Sequence, residues 1–433
     1  MINKIKNIFS DKDLEEILTK GFYFLLFRIG GLFAGYLFMY LIAKNYGASV
    51  NGLVALSFTF LLCISILGRL GIDINIVRYY TLKKTSFDKS LFYKLLLLSF
   101  SLSTFLALCL YLFRDLFIYR IFNKPQLEPY LFWVVISIPF WSIILICGGL
   151  FRGQKKNIWY AFLENPGRFI LSLLVFSILI IFLEDKTTPI ISHFIGVFTL
   201  AIIAVVKVKK SLNTHKSTYG GKVLDFIKES YPMMISGTIL VFLGWADTFI
   251  LGIYESDKEI GVYTIALKIA ALTSFSLHAL NSILAPKIAK SYQKGDVNGY
   301  QKMIQFSTKL NFFITLIIII VIVYFRKFIL GVFGNEFLSG DTVLLVLCIG
   351  QFINSLSGSV GIILQMTGRQ KVYQNIVLIA LMLNIVLNFI LTPRYGTMGA
   401  ALATVFSISF WNITGAIYLK RKLKIISYFK IIK

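Results

Sequence analysis

Twelve apolar runs, each about as long as a membrane-spanning helix, follow one another along the 433-residue chain. A helix needs about 20 apolar residues to cross the hydrocarbon core of a bilayer. Backbone groups in that core must pair within their own segment, and the runs are too long for barrel strands. The pattern predicts an all-α integral membrane protein with twelve transmembrane helices. The runs lie near residues 21–43, 52–72, 91–113, 130–151, 162–183, 188–206, 231–253, 262–284, 305–325, 341–364, 372–392 and 397–418.

The composition excludes a water-soluble domain. Hydrophobic residues make up 57% of the chain and charged residues 15%, whereas soluble proteins carry roughly 25% charged residues. The four cysteines all lie inside apolar runs, so we interpret them as buried thiols and not as a set of disulfides. They are Cys63, Cys109, Cys147 and Cys348.

The formal charge of +24 is distributed unevenly over the connections between the runs. The termini and the even-numbered connections together hold 29 lysines and arginines, the odd-numbered connections hold 9, and 6 lie within or at the edges of runs. Cytoplasmic loops carry an excess of basic residues, so this asymmetry predicts that both termini are cytoplasmic. Most of the charge therefore reports orientation and contact with membrane lipids. No nucleic-acid-binding motif is present, and no nucleic-acid partner is expected.

An internal repeat divides the chain at its longest basic connection, residues 207–230. Residues 153–156 (GQKK) match 368–371 (GRQK) at an offset of 215, and 51–53 (NGL) match 260–262 (IGV) at an offset of 209. Similar offsets at equivalent helix positions predict two parallel six-helix repeats with the substrate path between them. The predicted divisions are a cytoplasmic segment at 1–20, bundles at 21–206 and 231–418, a linker at 207–230 and a basic cytoplasmic tail at 419–433.

Five ordered blocks of sequence are typical of a known family: residues 45–58, 70–81, 150–162, 247–272 followed by Pro286 and Lys287, and 384–407. Through them the chain resembles the polysaccharide-transport branch of the multidrug/oligosaccharidyl-lipid/polysaccharide (MOP) exporter superfamily, of the O-antigen flippase type. The resemblance implies a twelve-helix transporter that moves a polyprenyl-pyrophosphate-linked oligosaccharide from the inner to the outer leaflet of a bacterial plasma membrane. It also implies contact with polysaccharide polymerase machinery.

Three cations inside the apolar runs are the predicted substrate-binding residues. Arg28 and Arg168 lie seven and six residues into their runs from the cytoplasmic side, and Lys268 lies six residues in from the outer side. At 1.5 Å per residue each is about 10 Å deep. A charge at such depth tends to face a wet cavity or a partner, and arginine suits phosphate through its fork of donors. The alternative for each is snorkelling to the nearest interface, or pairing with Glu164 or Asp247.

The remaining polar positions have two interpretations each. Asp247 is a candidate coupling-cation or proton site, an ion-pair partner of Lys268, or both. Asn384 and Asn388 share one face of the eleventh run, where they either bond between helices or line the cavity. A lone His278 in the eighth run is more typical of a packed residue than of a titrating one. Candidates for gating or lipid-headgroup contact lie around the inner end of the second run: Arg69, Asp73 and Arg78.

Two other functions stay open from the sequence. One is a multidrug or small-cation antiporter of the same superfamily, although intramembrane cations outnumber acids here and favour an anionic substrate. The other is a membrane glycan polymerase or glycosyltransferase, although the outer connections are short and no acid/base pair, metal-ligand cluster or phosphate-binding loop is evident. We therefore expect a transporter with no cofactor and no enzymatic activity. The H⁺ gradient, the Na⁺ gradient and the membrane potential remain alternative energy sources.

Overall fold

The computed structural model describes the backbone of residues 12–83, 88–164, 166–212 and 222–430. Side chains before residue 30 lie outside the description, as does most of the predicted segment 1–20. Every long element in the described ranges is helical. The helices are α1 (Lys12–Arg69), α2 (Ile72–Lys83), α3 (Lys89–Leu112), α4 (Glu128–Gly153), α5 (Asn157–Glu164), α6 (Pro166–Phe182), α7 (Thr188–Leu212), α8 (Val223–Tyr254), α9 (Asp257–Ala271), α10 (Phe275–Gln293), α11 (Val297–Tyr324), α12 (Arg326–Phe333), α13 (Asp341–Ser357), α14 (Val360–Met366) and α15 (Gln370–Leu423).

Two glycines divide the two longest helices. The backbone leaves the helical conformation at Gly47 in α1 (φ 80°) and at Gly396 in α15 (φ 57°). Glycine adopts positive φ at little cost because it has no Cβ. Each helix therefore contains two of the predicted spans joined by a tight reversal.

The helices account for the twelve predicted spans. Nine stretches of the described residues are long and apolar enough to cross a membrane, and two of these are the divided helices α1 and α15. The bent pair Ile158–Glu164 and Pro166–Phe182, with an angle of 56°, supplies one more span. The twelve-helix prediction is confirmed, and the chain is a multi-pass membrane protein.

The chain forms two compact units. The first contains residues 1–45 and 57–238, and the second contains residues 46–56 and 239–433. In the first unit, Gly196 of α7 lies directly against Ser172 of α6, where a Cβ would stand 2.6 Å from the serine Oγ. Small residues let membrane helices approach closely. Between α3 and α4, Ser103 donates a hydrogen bond to Ser142 at 2.8 Å.

In the second unit, apolar side chains lie on the outside of the bundle and polar side chains lie inside, which is the arrangement expected in lipid. Along α11, the large apolar side chains of Phe306, Phe313 and Ile317 are exposed, whereas Asn311 and Thr315 are buried. Asn311 donates to Ser355 of α13 at 3.1 Å. Without water around the bundle, polar groups are satisfied only inside it. The exposed apolar stripe therefore faces the hydrocarbon region.

All four cysteine thiols are free, as predicted. Cys147 and Cys348 are buried, but Cys63 and Cys109 are partly exposed. The prediction of burial was therefore wrong for the latter two. They lie on helix surfaces that the apolar run alone does not distinguish from the packed face.

Candidate functional site

Arg168 is buried in the first unit among aromatic rings. It lies two residues after Pro166, in the first turn of α6, and its side chain is almost fully covered, leaving the residue 6% exposed. The guanidinium carbon stands 4.4 Å from the ring centroid of Phe169, 4.6 Å from Trp141 and 5.9 Å from Phe58. Aromatic faces attract a cation through their quadrupole, and a desolvated contact of this type contributes about 2 kcal/mol.

The donors of Arg168 are incompletely satisfied. Its Nε and Nη1 atoms have no hydrogen-bond partner among the described residues. Arg69 offers a contrast in the same unit, because it donates to Asp73 at 2.6 Å and to the Ser65 carbonyl at 3.2 Å. An arginine at the centre of a bilayer costs about 3 kcal/mol on insertion scales. The aromatic contacts of Arg168 offset part of that cost. The described residues offer no hydrogen-bond acceptor to its Nε and Nη1 atoms.

His193 of α7 completes the arginine cluster, which we define as Arg168, His193, Phe58, Trp141 and Phe169. Its ring lies 4.4 Å from Phe58 and 6.5 Å from Phe169. The side chain is fully buried, and neither ring nitrogen has a partner within the described chain. Sequence reasoning missed His193, since a single histidine in the sixth run carries no pattern that separates it from a packed residue.

Asp247 is buried in the second unit and surrounded by neutral donors. Asn384 and Asn388 donate to its Oδ1 at 3.0 and 2.8 Å. Tyr263 donates to Oδ2 at 2.9 Å, and the Thr404 hydroxyl donates to the same oxygen. We define these five residues as the carboxylate cluster. It draws on α8, α9 and both halves of α15.

Among the described residues, the hydrogen bonds that Asp247 accepts come from neutral side chains. Lys268 is not one of these donors, and its pairing with Asp247 stays a prediction. The Oδ1 atom of Asn384 has no partner in the described part of the protein. Hydroxyl and amide groups are acceptors as well as donors. The same side chains can therefore present oxygens to a small cation or a proton on Asp247.

The remaining residues predicted inside the apolar runs lie in different surroundings. Lys268 is partly buried in the last turn of α9, before a 3₁₀ turn at Leu272–Ser274. Arg28 lies in the part of α1 before residue 30, and its side chain is outside the description. Glu164 is not among the contacts of Arg168, and His278 is exposed, so its predicted packed position was wrong.

The structure brings the residues near the end of the second run into ion pairs. Arg69 and Asp73 form an i,i+4 pair at 2.6 Å with Arg69 buried. Arg78 reaches Glu229 at 3.8 Å, and both side chains are largely exposed. An exposed pair of this kind contributes about 0–1 kcal/mol. Asn384 and Asn388 bond between helices, which is one of their two predicted interpretations.

A close helix crossing joins the repeat-equivalent glycines within the second unit. A Cβ on Gly52 would collide with the Asp257 carbonyl, and a Cβ on Gly261 would collide with the Ala48 carbonyl. The backbone N–H of Ala48, just after the Gly47 reversal, donates to Glu336 Oε2 at 3.2 Å. We call the close approach of the helices at Gly52 and Gly261 the glycine crossing. Only residues without a side chain allow the two helix starts to approach so closely.

Comparison with known proteins places these features in a family. The model of the polysaccharide biosynthesis protein family matches residues 17–292, and the MatE model matches residues 232–390. The chain belongs to the polysaccharide biosynthesis protein family. Its fold is that of the MOP superfamily. The structure of "Lipid II flippase MurJ, inward closed conformation" superposes with a TM-score of 0.75 at 18% identity, covering 93% of this chain and 87% of that one.

Two curated relatives carry glycan-related names. The "Probable low-salt glycan biosynthesis flippase Agl15" of Haloferax volcanii is 26% identical to this chain. The alignment covers 54% of this chain and 49% of Agl15. The "Capsular polysaccharide biosynthesis protein CapF" of Staphylococcus aureus is 25% identical over 55% of this chain and 61% of its own. The aligned part thus spans about half the length of the first relative.

Proposed function

We propose that the protein is a flippase for a polyprenyl-pyrophosphate-linked oligosaccharide, such as an O-antigen or other surface polysaccharide repeat unit. It moves this lipid from the inner to the outer leaflet of a bacterial plasma membrane, with both termini in the cytoplasm. Family membership and the names of the relatives support this class of substrate. The single observation that carries the proposal is Arg168, a buried guanidinium with two donors that find no partner and no carboxylate beside it among the described residues.

A pyrophosphate would complete the coordination of Arg168. Its oxygens offer acceptors in the geometry that a guanidinium fork recognises. Arg28 and Lys268 are proposed to contact the same headgroup as it crosses, and the polyprenyl chain stays in the lipid. The two six-helix repeats alternate access by rocking, and the protein performs no covalent chemistry. Polysaccharide polymerase machinery is the proposed acceptor of the product.

Asp247 is proposed as the coupling site. A buried carboxylate beside amide and hydroxyl oxygens offers the hard ligands that Na⁺ or H⁺ prefers. Binding of one of these cations would replace part of the hydrogen bonding from Asn384 and Asn388. Energy for transport then comes from the gradient of that ion.

The carboxylate cluster also favours a second candidate function, a small-cation antiporter. A buried carboxylate recognises a cationic substrate as readily as a coupling ion, and the MatE match covers the helix that carries Asp247. Transport of a cationic dye by purified protein in vesicles, with no effect of deletion on surface glycan, would favour this function over the flippase.

Substitution of Arg168 tests the flippase. In a host whose own gene is deleted, we expect Arg168→Gln to lower surface glycan at least tenfold at an unchanged protein level in the membrane. Arg168→Lys should keep part of the activity, since it retains the charge without the fork. Arg120→Gln is the control, because Arg120 is exposed beyond the spans. Normal glycan export by Arg168→Gln would remove the basis of the proposal.

Arg28→Ala and Lys268→Ala test the other two proposed contacts in the same assay.

A further inference from the structure

Residues 424–430 fold back into the second unit after α15, and we call them the strap. Helix α15 ends at Leu423, and the next residue, Lys424, adopts the left-handed conformation (φ 56°) and reverses the chain. The N–H of Ile425 then donates to the Leu419 carbonyl at 3.1 Å. From there the strap runs along α11 without secondary structure of its own. The sequence predicts a cytoplasmic tail here, and the basic composition alone gives no sign of this return.

Three polar side chains of α11 bind the strap backbone. Gln301 donates to the Ile426 carbonyl at 2.9 Å and accepts from the Ile426 N–H at 3.0 Å. Gln305 donates to the same carbonyl at 2.6 Å and to that of Tyr428 at 3.3 Å. Thr308 donates to the Ser427 carbonyl at 2.8 Å. These three residues lie on one face of α11 at i, i+4 and i+7 spacing, which is the pattern of a continuous helix face.

The other side of the strap fills a break between α13 and α14. Helix α13 ends at Ser357, and the next residue, Gly358, has a φ of 74°. The last carbonyls of a helix have no partners within the helix. The Phe429 N–H donates to one of them, that of Leu356, at 2.8 Å. A Cβ on Gly358 would stand 2.5 Å from the Ser427 carbonyl. The missing side chain of Gly358 thus makes room for the strap.

The strap is anchored by two fully buried residues, Ile425 and Ser427. Between and after them Ile426, Tyr428 and Phe429 are partly buried, and the two end lysines are exposed. The ring of Phe429 lies 4.3 Å from that of Phe312, about four turns into α11. Leaving this position would expose the apolar side chains and strand the amide groups of Gln301 and Gln305 in an apolar environment. Unsatisfied polar groups are costly there, so the seated position is strongly favoured.

We propose that the strap is a built-in clamp that fixes the hinge between α13 and α14 and stays seated throughout the transport cycle. A span interrupted by a left-handed glycine, where the last helical carbonyls need partners from outside the helix, is the weakest point of a bundle that moves as one body. The strap bonds α11 on one side and the end of α13 on the other, and so holds that point rigid. This inference does not depend on which substrate the protein carries.

Thiol accessibility tests the seated position directly. In Ser427→Cys protein in native membranes, we expect the new thiol to be protected from a maleimide reagent, measured over the background of the same chain without the substitution. Adding Gln301→Ala and Gln305→Ala should raise the labelling rate at least tenfold, because the bonds that hold the strap are removed. Adding Gln293→Ala, an exposed glutamine at the end of α10, should not. Equal labelling in all three backgrounds would contradict the seated strap.

Crosslinking tests whether the clamp stays closed. The pair Thr308→Cys and Ser427→Cys joins the strap to α11 on oxidation, and the same protein before oxidation is its own control. We expect efficient crosslinking and a transport rate within twofold of the reduced form. A reversible loss of transport on oxidation would show that the strap must leave its groove, and failure to crosslink would contradict its position. Both results would overturn the proposal whatever the substrate is.

Removal of the strap tests its mechanical role. A chain ending at Leu423 should remain in the membrane but transport at least fivefold more slowly. Adding Gln305→Ala to that shortened chain should cause no further loss, because its partner is already absent. Wild-type transport by the shortened chain would show that the hinge needs no clamp.

Discussion

At the scale of single residues, the two buried charges are accommodated in opposite ways. Asp247 accepts four hydrogen bonds from neutral side chains, whereas Arg168 contacts three aromatic rings and has two donors that find no acceptor in the described ranges. The carboxylate is thus already solvated by the protein, and the guanidinium is not. A charge that lacks partners gains more from binding a counter-ion than one that is already satisfied. This difference makes Arg168 the stronger candidate for direct contact with an anionic substrate.

Asp247→Asn separates coupling from binding. The substitution keeps the shape of the side chain but removes the charge, and its new N–H group would face the amide donors of Asn384 and Asn388. We expect transport in proteoliposomes to lose its dependence on an imposed Na⁺ or H⁺ gradient, with a rate at least tenfold below wild type. Asp115→Asn is the control, since that carboxylate is 70% exposed. An Asp247→Asn protein that still responds to the gradient would show that coupling occurs elsewhere.

The sequence could identify part of these clusters but not their membership. Asp247, Arg168, Asn384 and Asn388 were recognisable because polar residues are rare in apolar runs. Position along a run gives depth, however, and does not give the direction in which a side chain points. Thr404 lies 157 residues from Asp247 along the chain, and only tertiary packing brings it close. The single His193 shows the same limit, because burial beside Arg168 depends on how α6 and α7 pack.

At the scale of helices, glycine at a crossing is a packing requirement. The internal repeat could predict that Gly52 and Gly261 are equivalent, but it could not predict that they touch. Equivalent positions in two repeats meet only if they lie near the axis that relates the repeats, and a linear sequence does not contain the position of that axis. The approximate bounds of the helices could be predicted from the sequence, because the length of each apolar run sets them.

Alanine substitution measures the glycine crossing. We expect Gly52→Ala and Gly261→Ala each to destabilise the protein by about 1–3 kcal/mol, the usual cost of overpacking, because the added Cβ collides with backbone of the facing helix. The measurement is thermal unfolding of purified protein in detergent. Gly244→Ala is the matched control, since a Cβ at that position meets nothing within 4 Å. An equal effect of all three changes would mean that glycine acts through the unfolded chain and not through the crossing.

At the scale of the whole molecule, the charge count predicts an orientation but not the packing of each unit. The ratio of 29 to 9 basic residues between the two sets of connections predicts that both termini are cytoplasmic. The strap could not be predicted in this way. Its lysines, Lys424 and Lys430, have the composition of a cytoplasmic tail, and its apolar residues form no run long enough to indicate burial. Local composition determines which side of the membrane a loop occupies, and long-range hydrogen bonds determine what it packs against.

Labelling of introduced cysteines checks the orientation. We expect Lys186→Cys and Lys258→Cys to react with a membrane-impermeant maleimide added to intact cells, because both positions lie in odd-numbered connections. Lys155→Cys and Lys371→Cys should react only after the membrane is permeabilised. All four side chains are exposed, so a difference in labelling reports sidedness and not burial. The reverse pattern would place the termini outside.

The glycine crossing has a bearing on ancestry. Gly52 meets the backbone of Asp257, and Gly261 meets that of Ala48, so each contact is repeated with the partners exchanged at the same 209-residue offset. Reciprocal contacts of this kind are the signature of an isologous dimer interface. If the two repeats arose by duplication of a half-length gene, two copies of the ancestral protein would have met at this glycine. In that case a substitution at Gly52 or Gly261 affects the same contact, although the two glycines are now encoded by separate codons.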